Sequence, residues 1–363
     1  MPLTKRTEGG SSASRCFCED ETRASSVPLA TKSKPPEIAP GTTDDALAAS
    51  IQIAGRISSY KDFDKIGAGA FADVWEARSR RSGNKVAIKS LRAGAGGGKA
   101  LLREAALLAS CAGNPAVVEL RKVVRGADNN KLYLVMEYVG PSLHCVMAAR
   151  RRAGRPPFTE ADARRAMGRL LRGVEAMHGR GVVHCDLKPS NVLVGKEDGR
   201  GRGRALKICD LGLARSAAVP PPPDASSSGA VQGTLWYMAP ERLMGDTACG
   251  APVDLWSLGC VMAELLAGKP IFQGSSEPEQ LCEIVYLLGV PDEVSLMPLR
   301  VSASAPSQLR GAVPEERLSP AGFDVLRGLL EFDPRDRLTA AAALQMPWFA
   351  VQDEDDSPSP ARA

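Results

Sequence analysis

The spacing of apolar side chains changes partway along the chain. Between residues 60 and 138 it comes in short runs such as Val86-Ala87-Ile88 and Leu132-Tyr133-Leu134-Val135, which predict β-strands. One helix interrupts them, over 99–110, where Leu101, Leu102, Ala105 and Leu108 share a face. Beyond Gly140 the spacing becomes helical. Thr159 followed by Asp162 reads as a capping-box start, and Met167, Leu170, Leu171, Val174 and Met177 then recur at helical intervals. A second apolar helix is predicted over 254–266. Strands first and helices afterwards predict a two-part α+β protein.

The flanks break this pattern. Residues 1–59 are rich in Ser, Thr, Gly and Pro without apolar periodicity, and are expected to form a disordered arm. Up to Arg56 the arm holds seven basic and seven acidic residues; transit peptides are poor in acids, so that reading is disfavoured. Glycine-, arginine- and proline-rich stretches at 94–98, 199–204 and 220–228 predict surface loops. The last segment, 350–363, carries an acidic run and two Ser-Pro pairs, as a solvated tail would.

Composition adds exclusions. The 363 residues are 44% hydrophobic but only 5% aromatic, so the core must rest on Leu, Val, Ala and Met. A net charge of +4 gives no basis for a nucleic-acid partner. The longest apolar stretch, 255–268, contains Glu264, so no membrane span is expected. Nine cysteines lack metal-type spacing, Cys16 and Cys18 included. The expectation is a reduced intracellular protein, cytoplasmic or nuclear.

The candidate chemistry begins at Gly67-Ala68-Gly69-Ala70-Phe71-Ala72-Asp73-Val74. A glycine-rich turn lets backbone N–H groups approach phosphate oxygens. A dinucleotide site would continue into a helix, whereas here the β-like run Val86-Ala87-Ile88-Lys89 follows. That order predicts a strand-turn-strand lid over a nucleotide. Lys89 ends an apolar strand, so its ammonium needs a partner, and Glu104 on the following helix is the natural one. The run 93–100 imitates the other phosphate loop, but Ala93 and Ala100 replace its first glycine and its metal-binding hydroxyl.

Farther on come His184-Cys185-Asp186-Leu187-Lys188-Pro189-Ser190-Asn191, Asp210-Leu211-Gly212 and Ala239-Pro240-Glu241. With the glycine turn, Lys89 and Glu104 they form six ordered motifs that resemble the eukaryotic protein-kinase family. The resemblance covers roughly 60–349. It implies a two-lobed fold, a β-rich lobe at 60–138 and a mainly helical lobe at 139–349, with ATP and Mg²⁺ between them. Asp186 would orient the attacking hydroxyl and take its proton, and Lys188 would stabilise the migrating phosphate. Lys89 would hold the α- and β-phosphates, with Asn191 and Asp210 as metal ligands. Gly67 to Ala72 would cover the phosphates. Val74, Ala87 and Leu193 would enclose the adenine, Met136 would be the gatekeeper, and Glu137 to Val139 the hinge. Glu241 would pair with Arg337, and Asp254 would brace the catalytic loop. Lys188-Pro189 resembles serine/threonine kinases rather than tyrosine kinases.

Within the family, the stretches 132–138, 234–237 and 288–293 resemble the cyclin-dependent kinase group, and 139–143 and 233–241 resemble its divergent plant-type members. The resemblance implies protein substrates. A cyclin partner is left open, because 98–104 departs from the usual cyclin-contact helix. The alternative is a pseudokinase acting as a scaffold or allosteric module. Cys185 stands where the family has arginine, Leu211 where it has Phe, Met238 where the group has arginine, and Ala70 and Phe71 where Thr and Tyr are usual. The usual phosphothreonine position falls on Gly229, with Ser226, Ser227 and Ser228 nearby. Activity independent of loop phosphorylation is therefore expected, set by expression or by a partner of the N-terminal arm. Cys209, beside Asp210, is expected to line the cleft, either as a reactive thiol favoured by Lys89 and Mg²⁺ or as a buried apolar filler.

Overall fold

The computed structural model describes residues 46, 49–69, 72–92, 97–126, 131–197, 204–216, 233–246, 249–289 and 307–351. Most of the expected N-terminal arm, Ala70 and Phe71, the serines at 226–228, nearly all of the tail and most of the expected loop residues lie outside these.

The strands are β1 (Ile53–Arg56), β2 (Tyr60–Ala68), β3 (Ala72–Ser79), β4 (Lys85–Leu91), β5 (Leu120–Arg125) and β6 (Leu132–Glu137), and helix α1 (Gly97–Ser110) stands between β4 and β5. They form one six-stranded sheet in the order β1-β5-β6-β4-β3-β2. β2 and β3 pair antiparallel, with Gly67 opposite Val74 and Ala68 opposite Asp73. The Gly69 N–H closes the turn on the Ala72 carbonyl at 2.9 Å. The glycine stretch is thus strand-turn-strand, as its sequence context predicts.

Two expectations need correction here. The arm read as structureless to residue 59 contains β1, which pairs in parallel with β5. Three of its four residues are exposed, so the strand is held by backbone pairing at a sheet edge and carries no apolar alternation to read. Gly97 and Gly98, assigned to a loop, open α1, and Arg204 opens a strand.

The second lobe contains α2 (Leu143–Arg152), α3 (Glu160–His178), the short strands β7 (Val182–Val183), β8 (Val192–Glu197), β9 (Arg204–Ile208) and β10 (Arg215–Ser216), then α4 (Pro240–Leu243), α5 (Ala251–Ala267), α6 (Glu277–Leu288), α7 (Leu309–Ala312), α8 (Pro320–Leu329) and α9 (Ala340–Leu344). The Thr159 hydroxyl accepts the Asp162 N–H at 3.1 Å and donates to its carboxylate at 2.9 Å, fixing the start of α3. Met167, Leu170, Leu171, Val174 and Met177 are all fully buried, each contributing roughly 1.5–3 kcal/mol of gross apolar burial. α5 begins three residues before its predicted start, because Gly250 caps it and Pro252 fits its first turn. It is buried almost all round, with Trp256 stacked on Phe272. The buried Glu264 accepts the Tyr237 hydroxyl at 2.7 Å. At this same start of α3, the Glu160 carboxylate accepts the Ser319 hydroxyl and the Trp348 indole N–H, both at 2.6 Å, tying α3 to α8 and the final turn.

The junction of the lobes is close backbone packing. At Gly140, φ is +154°, and a Cβ there would lie 2.3 Å from the Val194 carbonyl oxygen. No side chain fits. Gly140→Ala is therefore expected to cost about 2–4 kcal/mol, from backbone strain plus displacement of β8. Chemical denaturation checks this; an unchanged midpoint would contradict the close approach.

Candidate active site

Lys89 lies on β4, opposite Val74 on β3 and Leu134 on β6, and is 5% exposed. Its ammonium donates to both oxygens of the buried Glu104 at 2.7 Å and to Asp210 Oδ1 at 2.6 Å. Burial opposes a charge on Lys89, but the two carboxylates outweigh it and hold the ammonium above the usual lysine range. Burial likewise pushes the Asp210 carboxyl up, yet Lys89 beside it draws it below the usual carboxylate range. About half of the Asp210 side chain stays open to the cleft. Asp210 has a left-handed backbone, φ 65°, a sparsely populated conformation for a residue with a side chain. Gly212 makes room for it: a Cβ there would meet Asp210 Oδ1, Lys89 Nζ and Glu104 Oε2 at 3.3, 3.6 and 3.7 Å.

The second half of the site is the loop between β7 and β8. The Asp254 carboxylate, fully buried on α5, accepts the N–H groups of His184 at 2.8 Å and Cys185 at 2.9 Å, and the His178 ring at 2.8 Å. The buried His184 ring is paired with the Cys209 carbonyl at 3.0 Å. These bonds set the backbone that leads into Asp186. Asp186 Oδ2 accepts from Lys188 at 2.7 Å and from Asn191 at 3.3 Å. The Asn191 amide also donates to the Asp186 carbonyl at 2.9 Å, leaving the Asn191 oxygen available as a hard ligand. Asp186 Oδ1 accepts the N–H and the hydroxyl of Thr234, each at 2.9 Å, and Lys188 also contacts that hydroxyl.

The other expected positions sit around this centre. Ala87 on β4 and Met136 on β6 are register partners and both buried. Val74, Val139 and Leu193 are partly buried against the same core. Ala68, Gly69 and Ala72 flank the glycine turn. The Glu137 carboxylate is taken by Lys207 and by the Glu119 N–H, so any contact of this residue with a nucleotide base runs through its backbone. Arg337, with no exposed side-chain surface, grips both oxygens of Glu241 at 2.7 and 2.9 Å.

Sequence reasoning missed two features. Thr234 is a lone threonine in a loop, 48 positions from the aspartate it holds, and only the fold reveals its part. Cys185 is joined to Cys249 by a disulfide across 64 positions, against the expectation of reduced cysteines. The reactive-thiol reading of Cys209 is also corrected. Burial, reinforced by the Asp210 charge, pushes this thiol up to about 12, so the thiolate is disfavoured despite Lys89 nearby.

A β-rich lobe with one ion-paired helix, a helical lobe, and a Lys–Glu–Asp cluster facing an Asp–Lys–Asn loop together define a protein kinase. The protein kinase domain family matches residues 60–349, and the chain belongs to that family. A rice protein (Oryza sativa subsp. japonica) provisionally named cyclin-dependent kinase F-2 is 47% identical over 317 residues, 83% of this chain and 93% of that one. Cyclin-dependent kinase B2-1 of Arabidopsis thaliana is 35% identical over 306 residues, 81% of this chain and 94% of the relative. Cyclin-dependent kinase G1 of the same plant is 36% identical over 316 residues, 81% of this chain but 49% of the relative. The protein is a cyclin-dependent-kinase-like serine/threonine kinase, with proteins as its substrates. The matches lend no support to a pseudokinase. Among the described residues, no helix is long and apolar enough to cross a membrane.

Proposed function

We propose that phosphoryl transfer runs between the two charge clusters, with Asp186 as the residue that receives the substrate hydroxyl. The observation that carries this is the convergence of Lys188, Asn191 and Thr234 on one carboxylate. Four donors already surround Asp186. A serine or threonine hydroxyl reaching Oδ1 takes the place of the Thr234 hydroxyl, and its proton passes to the carboxylate. Lys188, within reach of both Asp186 and Thr234, then balances charge on the transferring group. Lys89, held straight by Glu104, is placed for the α- and β-phosphates, and the β2–β3 turn (Gly67, Ala68, Gly69, Ala72, with Ala70 and Phe71) for the triphosphate from above. Ala87, Val74, Leu193, Met136 and the backbone of Glu137 and Val139 enclose the adenine.

The donor set fits a magnesium ion. One amide oxygen on Asn191 and one partly open carboxylate on Asp210 are the hard, sparse ligation Mg²⁺ accepts when phosphates and water complete its shell. When bound there, the ion supplies neutralisation of phosphate charge. A regulatory partner, cyclin-type or other, would act through α1, since the position of that helix sets the Lys89–Glu104 pair. The likeness to cyclin-dependent kinases supports an intracellular location, cytoplasmic or nuclear.

The test is MgATP with degenerate peptide libraries fixed at Ser, Thr or Tyr. Phosphate is expected in the Ser and Thr sets only, and the residue following the target reports what Met238 selects. Incorporation confined to tyrosine, or none at all, would overturn the reading.

A further inference from the structure

The Cys185–Cys249 disulfide joins two parts of the catalytic lobe whose spacing matters for substrate. Cys185 lies between His184 and Asp186 in a left-handed conformation, φ 63°. Its N–H is fixed on Asp254, the α5 carboxylate that anchors the loop. Cys249 precedes Gly250, the residue that caps α5, at the end of the stretch leaving α4. The two Cα atoms are 6.4 Å apart. Cys185 also lines a pocket with Asp186, Gly233, Thr234, Met238 and Arg242. On the kinase reading, a peptide whose hydroxyl reaches Asp186 would lie across this pocket, which is then the floor of its site. The bond therefore runs from the residue beside the catalytic aspartate to the far end of the segment that forms this floor, and both cysteines are half-buried rather than sealed in the core. The cross-linked chain carries the assembled site, with Lys89 on Glu104 and Thr234 on Asp186.

We propose that Cys185 and Cys249 are a reversible redox pair whose closure holds the peptide-binding floor against the catalytic loop and whose reduction releases it. The idea rests on the kinase reading of the site and adds its regulation. The oxidant class is a peroxide. One thiolate attacks a peroxide oxygen, the O–O bond breaks, and a sulfenic acid and water result. The second thiol then displaces water from that sulfur to form the S–S bond, two electrons having passed to the peroxide. A dithiol reductant returns two electrons and two protons through a mixed disulfide. In a glutathione-buffered compartment such a bond is transient, which is what a sensor requires.

The experiment uses the full chain, treated with hydrogen peroxide or with dithiothreitol and then desalted. Non-reducing digestion and mass spectrometry should find the Cys185–Cys249 peptide after peroxide only. The cross-linked form should melt about 5 °C or more above the reduced form, since the bond closes a long loop. Its KM for a peptide substrate should be severalfold lower, with the KM for ATP unchanged. Cys249→Ser should behave as the reduced form and ignore peroxide, while Cys282→Ser, at an exposed thiol, should respond like the parent. No Cys185–Cys249 peptide after peroxide, equal peptide KM in the two forms, or a peroxide response retained by Cys249→Ser would each overturn the proposal. Failure of both forms to transfer phosphate would instead count against the kinase reading. The cross-linked peptide and the melting shift need no ATP and still decide whether the pair forms.

Discussion

Asp186→Asn is expected to lower kcat for peptide phosphorylation about a thousandfold, equivalent to roughly 4 kcal/mol in the barrier, with the KM for ATP within about threefold. Asparagine keeps the shape of the side chain but not the charge. Its one oxygen cannot serve Thr234 on one side and Lys188 and Asn191 on the other, and its amide cannot take the hydroxyl proton. General-base and positioning contributions of this kind span about 10²–10⁴. Asp210→Asn should lose as much for another reason. It removes one of the two carboxylates that keep Lys89 charged and weakens the hard ligand facing the cleft, so its KM for MgATP should rise as well. Steady-state kinetics on both variants separates the two roles, and melting curves within a few degrees of the parent confirm that the chain still folds. Normal turnover in either variant would sink the assignment.

The residues of the candidate site are legible in the sequence because the chemistry proposed for them ties residue types to fixed spacings along the chain. Asp186, Lys188 and Asn191 share one short loop, and Lys89 needs a carboxylate because it follows the apolar run Val86-Ala87-Ile88 on a strand that continues past it to Leu91. α3 was readable because its buried positions follow the helical period without interruption. What escaped reading has no local signal. β1 is joined through backbone groups and leaves every residue but Ile53 exposed. Thr234 matters only because the fold carries a loop back onto Asp186. Cys185 and Cys249 are ordinary cysteines until the turn after α4 brings them together. Of the two readings of Cys209, reactive thiol and buried filler, burial decides for the filler, because it outweighs a cation that is already shared by two carboxylates.

Arg337→Ala is the substitution expected to cost most in stability, about 3–5 kcal/mol. The guanidinium has no exposed side-chain surface. It donates to both Glu241 oxygens, and to the carbonyls of Pro252 at 3.0 Å, Phe332 at 3.0 Å and Glu331 at 2.8 Å, while lying 5.2 Å from the centre of the Trp256 ring. A buried pair of this kind contributes little relative to apolar residues of equal volume, but removing one partner leaves the other charge stranded. Alanine strands the Glu241 carboxylate and three carbonyls at once. Arg337→Lys should recover only part, because an ammonium cannot reproduce the planar fork that meets two oxygens and three carbonyls. The double variant Arg337→Met/Glu241→Leu should be more stable than Arg337→Ala, since it leaves no unpaired charge. Functionally, Glu241 lies in α4, directly after the segment that reaches Asp186 through Thr234. Loosening it should therefore raise the KM for peptide before it alters the KM for ATP. Denaturant midpoints measure the stability terms and paired KM values the functional one. An Arg337→Ala midpoint equal to the parent, or a double variant no more stable than the single, would show that this bridge does not hold the peptide platform to the last helices.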